Sequence, residues 1–219
     1  MTEAFLSQNS SFPPVGFQAA WIPRLPAIDV CGDRDFALKN LAPHHDRIIS
    51  AAFPQIHTRN HAEQIHGNRI AMISTHTAEK IVTHPGADGL VTNLPGELLA
   101  IYVADCAAIY LADPITKSIA LLHSGKNGTE RNILENAVAT MVRSYGTKPA
   151  NLVGVISPCI RRPDYEIDFA SSIRQQADEL GILNFQDSCE NTASDLTRHY
   201  SYRMEKGQTG RMLALFCLS

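Results

Sequence analysis

Residues 98–129 read LLAIYVADCAAIYLADPITKSIALLHSGKNGT, and the grouping of apolar and turn-forming residues in this stretch decides the fold class. Residues 98–104, 107–112 and 118–123 are apolar runs of strand length. Asp113-Pro114-Ile115-Thr116-Lys117 separates the last two as a turn, so the spacing predicts a buried sheet containing a hairpin. After His123 comes Ser124-Gly125-Lys126-Asn127-Gly128-Thr129. Ile133, Leu134, Ala137, Val138, Met141 and Val142 then recur at helical spacing until Gly146 closes the pattern. The unit is strand, glycine-rich turn, helix.

Working outward, residues 152–156 read as a further strand and 169–180 as a helix capped by Asp168 and ended by Gly181. Residues 212–218 read as a C-terminal strand. Upstream, residues 69–75 and 89–92 are short strands, the second followed by an Asn93-Leu94-Pro95-Gly96 turn. A short helix is expected over 33–41, stopping before Pro43, whose ring restricts the preceding residue. Pro13, Pro14, Pro23 and Pro26 make residues 1–30 an irregular lead-in. Residues 31–219 are then one α/β (α+β) domain, a layered mixed β-sheet with packed helices.

The 219 residues, 44% hydrophobic and 19% charged, are enough to bury a core and exclude intrinsic disorder. A net charge of -3 without a dense Lys/Arg cluster argues against a nucleic-acid partner. The most apolar stretch carries Asp105 and is too short to span a bilayer, which predicts no membrane partner and a soluble, cytoplasmic protein. Five cysteines without a C-x-x-C suit free thiols, so a cysteine with a task is a ligand or a nucleophile.

Asp105-Cys106 interrupts apolar strands. A carboxylate there is costly unless it is exposed at a bend or fully hydrogen-bonded, and Asp105 reads equally as a turn residue satisfying backbone amides. Cys106 alone reads as a small buried hydrophobe. His123 ends a strand, where a side chain projects into a crevice above the following helix, although a strand-end histidine is commonly structural. Gly125 and Gly128 admit close approach of a ligand to backbone, and Lys126 adds positive charge beside a helix start, which makes an anion seat; the Walker spacing is absent. The histidine-dense segment 57–67 ends in His66-Gly67, while the His44-His45 pair reads as solvated. One thiolate and two imidazoles suit zinc, and three ligands leave the fourth position open, as in catalytic sites.

Several separated motifs resemble one known family. They are Gln64-Ile65-His66-Gly67, Ala87-Asp88-Gly89-Leu90-Val91-Thr92, Ala104-Asp105-Cys106, Asp113-Pro114, His123-Ser124-Gly125, Ser157-Pro158-Cys159-Ile160 before Tyr165-Glu166-Ile167, Ser201-Tyr202-Arg203 and Thr209-Gly210-Arg211-Met212. In this order the chain resembles the laccase-domain family, also called polyphenol oxidoreductase or peptidoglycan editing factor and regarded as purine nucleoside phosphorylases. The resemblance implies the laccase-domain, cysteine-hydrolase-like fold and zinc ligands His66, Cys106 and His123. It further implies phosphorolysis of adenosine, inosine or methylthioadenosine to free base and sugar 1-phosphate, with adenosine deamination as a second activity.

On that reading the partners are a purine nucleoside and phosphate. Cys106, His123 and Asp105 carry the chemistry, with Gly125, Lys126, Asn127 and Arg24 as phosphate or substrate contacts. Two departures stand out. The family's His-Ala-Gly-Trp-Arg-Gly is His123-Ser124-Gly125-Lys126-Asn127-Gly128 here, which replaces a planar guanidinium by a point charge. Its N-terminal Thr-Arg-x-Gly-Gly is not recognisable, and Arg24 stands nearest to that arginine. Three rivals remain open: a metal-free cysteine hydrolase using Cys106 and His123, a copper-dependent polyphenol oxidase, and a zinc-keeping binding module without turnover. The copper reading is disfavoured by only nine histidines and no His-x-His.

Overall fold

A computed structural model describes Leu6 and residues 12–219. Two sheets pack face to face, each covered on its outer side by helix. The first has strand order β1 (Phe17–Ile22), β11 (Met212–Leu218), β6 (Glu97–Val103), β2 (Thr58–Ala62) and β4 (Ile81–His84). The second runs β10 (Asn184–Asp187), β9 (Val153–Ile156), β7 (Ala107–Asp113), β8 (Ser118–Ser124), β5 (Gly89–Thr92) and β3 (Ile70–Ile73). Both mix parallel and antiparallel pairs; β7 and β8 form the expected hairpin, in register from Ala107 opposite Ser124 to Asp113 opposite Ser118.

Strand periodicity explains the layering, because successive side chains leave a strand on opposite faces. In β6, Leu99, Ile101 and Val103 join Phe216 of β11 and Tyr110 and Leu121 of the second sheet in the core between the sheets. Leu98 and Ala100 point the other way, toward Ile49 and Phe53. In β7, Ile109 and Leu111 face Ile133, Leu134, Phe169 and Ile173 of the helices over the second sheet. Strands buried on both faces read as nearly continuous apolar runs, and this made the central stretch legible. The Tyr110 hydroxyl also donates to the Ala20 carbonyl at 3.0 Å, tying one sheet to the other through the core.

Helix α1 (Arg34–Ala52) covers the first sheet and corrects the expected stop before Pro43. An interior proline costs about 3 kcal/mol through its lost N–H and steric clash. The buried stripe Ala37, Leu41, His45, Ile49 nevertheless continues past it at four-residue spacing. Burial of Leu41 and Ile49, at roughly 1.5–3 kcal/mol each, offsets that cost. Asp33 caps the helix, accepting from the Phe36 amide at 2.8 Å.

Three further expectations change. Residues 1–5 and 7–11 of the irregular lead-in lie outside the described residues, but β1 within it is a regular strand paired antiparallel to β11 over six residues. The glycine-rich turn does not feed one helix. It forms a five-residue helix, α2 (Lys126–Glu130), and the chain passes through left-handed Asn132 (φ 56) before α3 (Ile133–Tyr145). His45, expected in solvent, is fully buried. The helix α4 (Phe169–Glu179) begins at the expected Asp168 cap. No helix among the described residues is long and apolar enough to cross a membrane.

His45 and His61 both stack with the Tyr102 ring, with centroids 5.8 and 5.3 Å away. Burial, reinforced by the Arg59 charge, pushes His45 down to about 4 and His61 down to about 3. Both are neutral at pH 7. As pH falls below about 6.5 the unfolded chain takes up protons that the folded chain refuses, so their contribution to stability is lost on acidification toward pH 4. Urea denaturation should show stability falling between pH 7 and 5, with a shallower fall in His45→Leu. The substitution is tolerable because, among the described residues, neither ring nitrogen of His45 has a hydrogen-bond partner. An unchanged slope would show that the imidazole is not held neutral.

Candidate active site

Two loops and the end of strand β8 bring His66, Cys106 and His123 together. Their ligand atoms all lie within 4.8 Å of one another, the sole such group of three or more His, Cys, Asp or Glu among the described residues. Each arrives by a different backbone device. His66 sits in a tight turn with φ +61, Cys106 follows Asp105 at φ +80 just before β7, and His123 stands near the end of β8, opposite Ala108.

Asp88 organises two of the three. Buried completely at the entrance to β5, its carboxylate accepts from the backbone amides of Ile65 (3.2 Å), His66 (2.9 Å) and Gly67 (2.7 Å) and bonds His123 Nδ1 at 2.9 Å. Burial alone would raise its pKa, but the hydrogen bonds from His123 and Gly67 outweigh it and hold it below the usual carboxylate range. With Nδ1 taken by Asp88, His123 presents Nε2 to the cluster. A carboxylate behind a ligating imidazole is the usual means of fixing its tautomer and ring orientation. Sequence reading missed this residue: it fell inside a quoted motif, but an aspartate before a strand reads as a turn.

Cys106 differs from the buried thiols elsewhere. Burial pushes Cys159 and Cys217 up to about 12. At Cys106 burial acts in the same direction, but the charges and hydrogen bonds of His123 and His66 overcome it and bring the thiol down to about 6. Reciprocally, burial would lower His123, while Cys106 and Asp88 raise it to about 9. The pair is a thiolate facing an imidazolium, ready to lose the imidazolium proton to a competing cation. One thiolate with two imidazoles is a borderline-soft donor set that suits zinc and leaves a tetrahedral place free. Gly125 presses against the sulfur, since a Cβ there would lie 2.5 Å from Sγ.

Asp105 lies beside the cluster with its carboxylate occupied. It accepts from Thr192 Oγ1 (2.7 Å), Ser201 Oγ (3.1 Å) and the Arg203 amide (2.8 Å), while its carbonyl accepts from the Ile160 amide. This buried carboxylate thus fastens the loops around 192 and 201–203 to the strand that carries Cys106.

The cluster opens into a cleft of about 660 Å³ that Gly125, Lys126 and Asn127 help to line. Ile160, Tyr165, Phe169 and Tyr202 supply apolar wall, and Arg34, Arg203, Lys206 and Arg211 supply positive charge. None of these four cations was assigned a contact from sequence: Arg203 and Arg211 fell inside quoted motifs without a role, and Arg34 and Lys206 stand in no motif at all. Arg24 is not among the lining residues. It pairs with Glu205 at 2.9 Å and lies over the Tyr200 ring.

A family model described as "Multi-copper polyphenol oxidoreductase laccase" matches residues 38–170 and 164–219. Purine nucleoside phosphorylase YlmD of Bacillus subtilis is 25% identical over 194 residues, covering 70% of this chain and 68% of that protein. Purine nucleoside phosphorylase RC0672 of Rickettsia conorii is 38% identical over 105 residues; the match takes in 48% of this chain and only 41% of the relative's length. The crystal structure of YlmD from Geobacillus stearothermophilus aligns with TM-score 0.77 at 24% identity, over 93% of this chain and 92% of that one. That of the Bacillus licheniformis hypothetical protein YfiH aligns at 0.78 and 20%, over 93% of both. These likenesses show the fold.

Replacing Asp88 by Ala should weaken metal binding about 10–100-fold, the usual effect of losing such a supporting carboxylate. Competitive chelator titration measures it, and an affinity within twofold of the parent would show that His66 and His123 are held by other means.

Proposed function

The chain belongs to the multi-copper polyphenol oxidoreductase laccase family, and from that premise we propose that it is a zinc-dependent purine nucleoside phosphorylase. The observation that carries this reading is the convergence of His66, Cys106 and His123 at the base of a cleft whose walls are aromatic and whose charged lining is mostly cationic. The names of its relatives supply the reaction class. The substrates are adenosine, inosine or methylthioadenosine with inorganic phosphate, and adenosine deamination is a second activity of the same site.

Zinc held by His66, Cys106 and His123 would supply Lewis acidity at the reacting centre. The chain's own groups do the rest. Ile160, Tyr165, Phe169 and Tyr202 offer a dry surface for a flat purine. Lys126 and Asn127, with the Gly125 backbone, border the cluster where a phosphate oxygen would approach the anomeric carbon. Positive charge placed in advance lowers the cost of bringing that anion up to the sugar. The C1′–O bond to phosphate forms as the C1′–N9 bond breaks, and the bonding electrons leave with the base. Because α2 is a single short turn, the full charge of Lys126 outweighs any helix-end contribution. Asp105, with three donors on its carboxylate, acts as a positioning residue for Cys106.

A metal-free cysteine hydrolase is the second reading, favoured by the Cys106 thiolate, the His123 imidazolium and Asp88 behind it in a line of three. A multicopper oxidase finds less support, since one three-donor group is all that the described residues assemble.

Cys106→Ala should abolish both bound zinc, read by elemental analysis, and phosphate-dependent release of base from a nucleoside panel. Alkylation-sensitive amide hydrolysis persisting after complete zinc removal would transfer the assignment to the thiol hydrolase. A zinc-loaded protein that releases no base from any of the three nucleosides would sink the phosphorylase reading.

A further inference from the structure

Partly buried arginines in this protein are generally neutralised. Arg24 pairs with Glu205, Arg59 with Asp46 and Arg161 with Asp187; the exposed Arg203 at the cleft also pairs, with Glu166. Arg211 is the exception. Half-buried in the cleft wall, it forms no ion pair among the described residues. Its Nη1 donates to the carbonyls of Thr209 (2.9 Å) and Gly210 (2.8 Å), which fixes the fork, and its guanidinium carbon lies 5.9 Å from the Tyr202 ring centroid. No hydrogen bond engages Nε or Nη2 among the described residues. Arg34, exposed at the start of α1, lines the same cleft and, among the described residues, has no carboxylate partner and one bond, a 3.4 Å contact to the Glu63 carbonyl.

Both guanidiniums belong to the lining of one cleft. Burial, and then Arg34, lower the Arg211 pKa. Two like charges brought together around an open cavity, one of them partly desolvated, are unfavourable without an anion between them. The Cys106 thiolate and Asp105 offset part of this charge from within the cleft, but neither forms an ion pair with the two arginines among the described residues: the Asp105 carboxylate holds Thr192, Ser201 and the Arg203 amide, and Arg203 itself pairs with Glu166. Planar forks with free N–H pairs match tetrahedral oxyanions, which a lysine contacts only as a point charge.

We infer that Arg34 and Arg211 form a seat for a phosphoryl oxyanion, distinct from the Gly125-Lys126-Asn127 turn. The same chemistry is offered by inorganic phosphate and by the phosphoryl group of a nucleoside 5′-monophosphate. This seat rests on the reading of the cleft as the substrate site.

Binding, not turnover, tests it. Inorganic phosphate, adenosine and adenosine 5′-monophosphate are titrated calorimetrically into the zinc-loaded full chain at constant ionic strength, which holds general screening fixed. Arg211→Met should weaken phosphate or the monophosphate about tenfold or more while leaving adenosine within twofold, the loss expected for charged, forked hydrogen bonds. Arg34→Met should act in the same direction, and Arg211→Lys should recover only part. Loss confined to inorganic phosphate identifies the free ion as the ligand; loss of the monophosphate's advantage over adenosine identifies the nucleotide.

Should Arg211→Met melt early, Arg34→Met, altering an exposed side chain, decides the matter. Wild-type protein that binds neither anion, or variants that bind both as the parent does, would overturn the seat. Oxyanion binding lost in these variants of a protein that releases no base would retain the seat and remove the phosphorylase reading. Base release without any change in phosphate KM in either variant would do the reverse.

Discussion

One buried carboxylate sets the geometry of the cleft. Asp88 has three amides and an imidazole on its two oxygens, so a single residue fixes the turn carrying His66 and the orientation of His123. The turn needs this help because His66 occupies the left-handed region, where a non-glycine residue stands at an energetic cost. Removing the carboxylate would leave buried amides unsatisfied as well as freeing the ring, and each unsatisfied donor costs about 1–3 kcal/mol. Fold and chemistry are therefore coupled at one side chain: the groups that stabilise the loop also orient the ligand.

A second carboxylate does the corresponding work for the third candidate donor. Asp105, itself at φ +80, binds Thr192, Ser201 and the Arg203 amide, drawing distant parts of the chain onto the strand that presents Cys106. The same contacts carry the loops bearing Tyr202, Arg203 and Lys206 to the cleft rim. Charge distribution follows from this arrangement. Both aspartates are consumed by internal hydrogen bonds, so the cleft presents mainly cations and aromatic surface to whatever enters.

How much of this was legible in the sequence depended on whether burial and period coincided. The strands around 98–123, the helix from 133 and the strand at 212–218 were readable because their apolar residues lie on faces that meet apolar neighbours. Strand β2, sequence TRNHA, was not. Its polar side chains are buried against specific partners: Arg59 on Asp46, Asn60 on Glu97 and His84, and Thr58 on the Glu79 carbonyl. Such pairing depends on tertiary neighbours that no local pattern announces. The passage of α1 through Pro43 and the burial of His45 have the same origin, a sheet surface supplied by strands far along the chain. At the site, residue chemistry singled out the three candidate ligands, whereas Asp88 and the scattered arginines take their meaning only from proximity in space.

The three donors are separated by 40 and 17 residues along the chain, two of them in loops beside the sheets and the third within strand β8. An ion entering an unfolded chain would have to close both loops by itself, a loss of chain entropy that it recovers only through the finished sheets. Assembly of the β-layers must therefore precede cation capture, unlike small zinc modules in which the ion organises the polypeptide. If the three donors hold a metal, the chain without it would then be a folded receptor, able to exchange one metal for another without passing through a denatured state.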